Sequence, residues 1–247
     1  MVWLRYMSYH LEATEVDKAR AVAERALTTM SSSCESFAFC SEKQENFNVW
    51  VGYLNLENMY GTPELLKKVM DRALKENKPK KVYWHMIKVY IQSGKMEEAE
   101  QLYTTMTNKL RQKRKVWKEF GEFHYKNHRP ESARKILQSS LKSLDKKYHA
   151  GTISKFAQME FEYGEPERGK TMFENLLRKK PKRTRIWSLY IDLVTKLGEI
   201  ENARKMYERV GNLNLSAKKM RFFFKKYLDF EKGQRETESM AVVNCRL

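Results

Sequence analysis

Apolar positions recur along this chain at a period of about 34 residues. With Trp3, Trp50, Tyr83, Trp117, Ile153, Trp187 and Phe224 as anchors, the successive spacings are 47, 33, 34, 36, 34 and 37. Three residues after each anchor stand Tyr6, Tyr53, Met86, Phe120, Phe156, Tyr190 and Tyr227, a spacing that puts each pair on one helix face. Eleven residues after the first six anchors come Thr14, Gly61, Gly94, His128, Gly164 and Gly198. Glycine there suits the left-handed residue that closes a helix. At plus sixteen stand Ala19, Leu66, Ala99, Ala133, Gly169 and Ala203, and at plus twenty Ala23, Met70, Tyr103, Leu137, Phe173 and Tyr207.

Each unit therefore reads as helix, turn, helix. Acidic residues gather just past the turn (Glu97 and Glu98, Glu131, Glu165 and Glu167, Glu199 and Glu201), where they complement the positive end of the second helix. The small residue at plus sixteen lets the second helix pack closely on the first. A helix pair cannot bury its apolar face alone, so neighbours must stack. The expected fold is all-α: a right-handed α-solenoid of about seven repeats over residues 1–236, with 237–247 a disordered tail. The first spacing, 47 against a period of about 34, is too long by about thirteen residues, and the excess falls in residues 30–44. That stretch is expected to be an inserted loop, or non-coding sequence retained in a gene prediction. Its Cys34 and Cys40 have no second Cys or His pair at a zinc spacing.

Several of these columns carry finer patterns. Trp50, Tyr53 and Glu57 place two aromatics and then a glutamate on one helix; Phe224, Tyr227 and Glu231 repeat this, and Ile153, Phe156 and Glu160 keep it with an aliphatic anchor. The second helix reads Ala-Arg-x-x-x-Glu-Arg from Ala19 to Arg25 and again from Ala203 to Arg209. These patterns resemble half-a-tetratricopeptide (HAT) repeats, which occur in RNA-processing assemblies. The glutamate column departs to His10, Tyr90, His124 and Val194, so the repeats are degenerate. The stretches 16–27, 48–61, 156–161 and 219–231 also resemble the C-terminal segment of the ribosomal RNA-processing protein 5 family. That similarity covers about residues 1–232 apart from the insert. Members of that family carry RNA-binding β-barrel domains upstream. The chain opens inside a repeat helix with no N-cap residue before Trp3, so it is expected to be a C-terminal fragment or a truncated gene model. The resemblance implies a nucleolar scaffold of the small-subunit processome, active in early pre-rRNA cleavages without itself cutting.

Composition sharpens the picture at two points. The 48 Lys+Arg against 31 Asp+Glu give a net charge of +17. Residues 1–60 carry 5 basic and 8 acidic side chains, so all of the surplus lies beyond position 60. Such a surplus suggests a polyanionic partner, most simply RNA; solubility is the plainer alternative. An odd count of three cysteines argues for a reducing, intracellular setting. The sequence holds no apolar run long enough for a membrane span and no secretory signal layout.

Catalytic signatures are missing: there is no phosphate-cradling glycine loop and no nucleophile elbow. His124 and His128 share the i, i+4 spacing of a zinc pair, but without the glutamate or third ligand a zinc protease needs. A structural role is expected for both, no metal or cofactor is expected, and the chain is not read as an enzyme. The aromatic anchors are read as core packing. Glu57, Glu160 and Glu231 are read as hydrogen-bonding groups within their own repeat. The basic residues cluster in the connections between repeats: Lys113, Arg114 and Lys115; Arg178, Lys179, Lys180, Lys182, Arg183 and Arg185; Lys218 and Lys219. Lys78, Lys80, Lys81, Lys109, Arg111, Lys142, Lys146, Lys147 and Arg221 extend the series. Attraction of cations to helix C-termini accounts for one or two per repeat, but not for six among the eight residues Arg178–Arg185. The expectation is a basic ridge along one edge of the solenoid that tracks RNA phosphates. The partners expected are pre-rRNA and other pre-ribosomal proteins, with no membrane. A HAT scaffold of splicing or mRNA 3′-end formation, and a peptide-binding tetratricopeptide adaptor, are the competing readings.

Overall fold

The computed structural model describes the backbone over residues 2–32 and 39–244, and the side chains over 2–30 and 45–234. Among these residues the chain forms thirteen α-helices and no strand. They divide into two compact units, Met1–Lys109 and Leu110–Leu247. The first holds three helix pairs: α1 (Val2–Glu12) with α2 (Val16–Ser32), α3 (Phe39–Tyr60) with α4 (Pro63–Glu76), and α5 (Pro79–Gln92) with α6 (Met96–Lys109). The second holds α7 (Arg114–Lys126) with α8 (Pro130–Ser143), α9 (Lys146–Tyr163) with α10 (Pro166–Lys179), and α11 (Thr184–Lys196) with α12 (Ile200–Gly211). It ends in a single long helix, α13 (Ala217–Asn244). Within each unit every first helix contacts the next first helix as well as its own partner, which is how a stack of helix pairs closes its core. No described helix is long and apolar enough to cross a membrane.

Local chemistry explains where the second helices begin. Pro63, Pro130 and Pro166 open α4, α8 and α10, where a missing N–H costs nothing and φ is already helical. Thr62 caps α4 by accepting from the Leu65 N–H. Asp17, Glu64, Glu97, Glu98, Glu131, Glu167 and Glu201 lie in the first turns of the second helices, as their dipoles favour. The small residue at plus sixteen is fully buried as Ala19, Ala99, Ala133 and Ala203. At Gly169 even a Cβ would press into the Phe161 ring of α9, so α10 lies closest to its partner there.

The anchors Trp50, Tyr83, Trp117 and Trp187 are buried, as are Tyr53, Phe120, Phe156 and Tyr190 three residues on. Phe173 stacks on Tyr190 with centroids 5.0 Å apart, and Tyr207 on Tyr227 at 4.6 Å. Phe224 departs from this pattern. It is 61% exposed, while its neighbour Phe223, 4% exposed, enters the core. In earlier units a cation of the second helix lies over the anchor ring: Arg72 over Trp50, Lys109 over Tyr83, Arg209 over Trp187. Among the described residues no second helix follows α13 and none covers the anchor column there. The described chain is six helix pairs and a thirteenth helix, and that helix runs to Asn244, into the stretch expected to be a tail. At the insert, α2 reaches Ser32 and α3 begins at Phe39, so helix takes up part of the expected loop. Residues 33–38, Cys34 among them, and the side chain of Cys40 lie outside the described residues.

The glutamates also differ from expectation, because their partners lie across repeat boundaries. Glu57 on α3 accepts two bonds from Arg20 on α2, at 2.8 and 3.2 Å. Glu160 on α9 accepts two from Arg134 on α8, and Glu231 on α13 two from Arg204 on α12. The arginine is the second residue of the Ala-Arg pattern, so two separately visible patterns form one inter-repeat clasp. Another clasp joins successive second helices. Arg72 on α4 grips Glu24 on α2, which also accepts from the Tyr53 hydroxyl, and Arg209 on α12 grips Glu174 on α10.

These clasps split the glycine column in two. Gly94 and Gly198 have φ of +73° and +79°, and Thr14 and His128 take the same left-handed turn at 61° and 56°. Their repeats lack the glutamate. In the two repeats that have both the glutamate and a glycine four residues on, the φ of Gly164 is −127° and Gly61 is not left-handed. There a Cβ would collide with the Glu160 or Glu57 carboxylate. Glycine makes room for an anion in two repeats and relieves backbone strain in two others.

Candidate nucleic-acid interface

The basic connections lie at the surface and are tied down by the anchors. The Trp117 indole N–H donates to the Arg111 carbonyl and the Trp187 indole N–H to the Pro181 carbonyl, both at 2.8 Å. Each buried anchor thus fixes the loop six residues before it, and that loop carries cations. From the last turn of α10 to the first turn of α11, Arg178, Lys179, Lys182, Arg183 and Arg185 are exposed and Lys180 is half-buried. Among the described residues, Lys179, Lys180, Lys182, Arg183 and Arg185 enter no ion pair.

The structure brings together part of the expected ridge in the second unit. The Gln112 side chain donates to the Ser143 carbonyl at 2.9 Å, joining the loop before α7 to the end of α8. On the same side, Arg114 of α7 and Lys147 of α9 lie over the Tyr148 ring, 6.0 and 4.9 Å from its centroid. Lys113 is exposed at the N-cap of α7, and Lys115 lies 3.8 Å from Glu119. Lys218 and Lys219 are exposed in the first turn of α13.

Two electrostatic classes of cation emerge. Arg20, Arg72, Arg134, Arg204 and Arg209 are neutralised in the clasps; the hydrogen bonds they donate to Glu160 and Glu57 hold the Arg134 and Arg20 guanidinium pKa well above the usual range. The other class occupies the N-terminal ends of first helices. α5, α7, α9, α11 and α13 have no acidic residue in the first turn. Lys113 and Arg183 stand at the N-caps of α7 and α11 without a side-chain cap. Cations there oppose the helix dipole. The free N–H groups and the side chains around them all favour an anion.

The histidine pair does not share a helix face. His124 is buried on α7 beside Phe120, with ring centroids 4.8 Å apart, whereas His128 follows the helix in a left-handed turn and is exposed. Among the described residues no group of His, Cys, Asp or Glu is arranged to hold a metal ion.

Residues 74–239 match the family model described as Pre-mRNA-splicing factor Syf1/CRNKL1 C-terminal HAT repeat. The human Protein RRP5 homolog is 48% identical over 231 residues, which is 94% of this chain and 12% of that protein. The rRNA biogenesis protein rrp5 of Schizosaccharomyces pombe is 38% identical over all of this chain and 14% of its own length. Human Crooked neck-like protein 1 is 26% identical over 78% of this chain and 24% of its own. The chain thus spans a small part of each relative's length. With the family model covering most of the helix pairs, the chain belongs to the HAT-repeat family.

Proposed function

We propose that this chain is a non-catalytic scaffold in ribosome biogenesis, working in small-subunit pre-rRNA processing within the small-subunit processome of the nucleolus. Its exposed basic connections contact the pre-rRNA backbone, and its helix pairs hold neighbouring pre-ribosomal proteins. The observation that carries the RNA contact is the placement of Lys113, Arg183, Lys218 and Lys219 at first-helix N-termini, against the dipole and, among the described residues, outside any ion pair, whereas the arginines of the clasps are neutralised. Folding stability alone would favour the opposite placement. The ribosomal assignment is supported by the names of the RRP5 relatives from human and fission yeast.

The testing experiment replaces Lys179, Lys180, Lys182, Arg183 and Arg185 with Gln and measures single-stranded RNA binding against salt. Each lost phosphate contact flattens the log–log slope by about 0.7, so the slope should flatten by up to about 3.5 for every RNA alike. Glu97→Gln with Glu98→Gln, both exposed in the first turn of α6, is the control and should not weaken RNA binding. An unchanged slope with loss of a protein partner would make the connections a protein-docking surface.

A second reading, a scaffold of splicing complexes, is favoured by the family model's description and the likeness to Crooked neck-like protein 1. Sequencing the RNA crosslinked to this chain in cells separates the two. Pre-rRNA fits the first, and spliceosomal RNA with no pre-rRNA would replace it by the second.

A further inference from the structure

The last helix exposes two columns that are buried together in three earlier repeats. At the anchor position and four residues on, the pairs Trp50 and Leu54, Tyr83 and Ile87, and Trp187 and Ile191 are all buried. On α13 the equivalent residues are Phe224, 61% exposed, and Leu228, 56% exposed. They stand at i and i+4, so they form one stripe. In the earlier repeats this stripe receives a helix: the second helix of the same pair sets its cation over the anchor ring, as Arg209 does over Trp187 at 5.1 Å. α13 therefore keeps the receiving half of a repeat without a described donor.

The rim of that stripe is mainly basic along one edge, with Asp229 an exposed carboxylate beyond it, while Glu231 on the other edge is held by Arg204. Arg221, Lys225 and Lys232 fall beside Phe224 and Leu228 by helical spacing, with Lys218 one turn before Arg221. All four are exposed, and among the described residues none enters an ion pair. Lys226, on the side facing α11, is by contrast held by Asp192 at 2.7 Å and by Ser188. A second copy of the chain, itself at +17, would meet this rim with like charge. Phosphate backbone would leave the two apolar side chains exposed.

We infer that α13 docks an acidic amphipathic helix of a partner protein, which sets an apolar stripe on Phe224 and Leu228 and carboxylates against Arg221, Lys225 and Lys232. The partner helix lies against this stripe as the second helices do in the earlier repeats. Apolar contact supplies most of the affinity, and the basic rim selects acidic over basic helices.

The test uses the whole chain and a synthetic helical peptide of about 18 residues, with leucines on one stripe flanked by glutamates. A matched peptide carries lysines in place of the glutamates. The acidic peptide should bind saturably in fluorescence anisotropy, and Leu228→Glu should weaken it about tenfold or more. Arg221→Glu with Lys225→Glu should reverse the preference between the two peptides. These positions are exposed, so helix content by circular dichroism should not change; Phe224→Ser serves as the second variant if Leu228→Glu fails that check. Equal affinity for both peptides, or affinity unaffected by every substitution, overturns the inference. So does self-association in sedimentation equilibrium that Leu228→Glu abolishes, because the occupant is then a second copy. Single-stranded RNA that displaces the peptide and loses affinity with Leu228→Glu also overturns it, by making the face part of the RNA surface.

Discussion

The Arg134 guanidinium on α8 holds both carboxylate oxygens of Glu160 on α9, Nε to Oε1 at 2.8 Å and the second nitrogen to Oε2 at 3.1 Å. Arg20 with Glu57 and Arg204 with Glu231 repeat this across two other boundaries. At the remaining three boundaries neither partner is present: Lys67 precedes Tyr90, Glu100 precedes His124, and Lys170 precedes Val194. The two residues come together or not at all. A carboxylate buried to 1% exposure, as Glu160 is, is tolerable only when its charge is matched and its lone pairs are filled.

Removing one partner should therefore cost more than removing both. Arg134→Ala leaves the Glu160 carboxylate buried and unmatched, and should lose about 3–5 kcal/mol in urea denaturation. The double variant Arg134→Met with Glu160→Leu should recover a large part of that loss. Arg204→Ala should cost less than Arg134→Ala, because the Glu231 side chain is 24% exposed and water replaces the lost bonds. Equal losses at the two boundaries would contradict this account.

Glycine substitutions separate the two uses of the turn column. Gly164→Ala should destabilise strongly in the parent and be nearly harmless in a Glu160→Ala background, since the obstacle is the carboxylate. Gly198→Ala should cost about 1–2 kcal/mol in any background, since its φ of +79° penalises a Cβ. A double-mutant cycle with coupling at 164 and none at 198 is the expected result.

Trp187 both fills the core and restrains a basic loop. Trp187→Ala should cost roughly 3–5 kcal/mol. Trp187→Phe keeps most of the volume but removes the N–H donated to the Pro181 carbonyl, and should cost about 1 kcal/mol. That variant should also weaken RNA binding without changing any charge, because the loop Lys180–Arg183 loses its tether. Unaltered RNA affinity in Trp187→Phe would mean the loop is ordered by other contacts.

Acid should loosen the clasps. The Arg209 hydrogen bonds hold the Glu174 carboxyl below the usual carboxylate range, and those of Arg72 do the same for Glu24. Burial pushes Glu160 up, but the hydrogen bonds from Arg134 and Tyr125 outweigh it and the net direction is down. Groups with a lowered folded pKa contribute stability above the ordinary carboxylate value of 4.5, and that stability is lost as pH falls through the folded pKa. Thermal melts should thus be flat near neutrality and fall below about pH 4.5. Glu24→Gln with Glu174→Gln should melt lower at neutral pH and show a shallower acid slope.

The spacing of aromatics, small residues and turn residues was enough to determine the helix pairs, because a repeat writes the same local physics six times. Trp187 in the core and Ala203 against its partner helix follow from that period alone. The basic composition of Arg178–Arg185 was legible in the same way, since charge in a short connection has only the surface to occupy. Three matters were decided by tertiary structure. The partner of Glu160 lies 26 positions away on another repeat, and a carboxylate's partner depends on what packs against it, not on its own helix. Gly164 and Gly198 occupy the same column, yet one avoids a neighbouring carboxylate and the other a backbone clash. Phe224 carries the anchor's identity but not its burial. A hydrophobic residue is buried only when another element arrives to cover it, and α13 has no described second helix to do so.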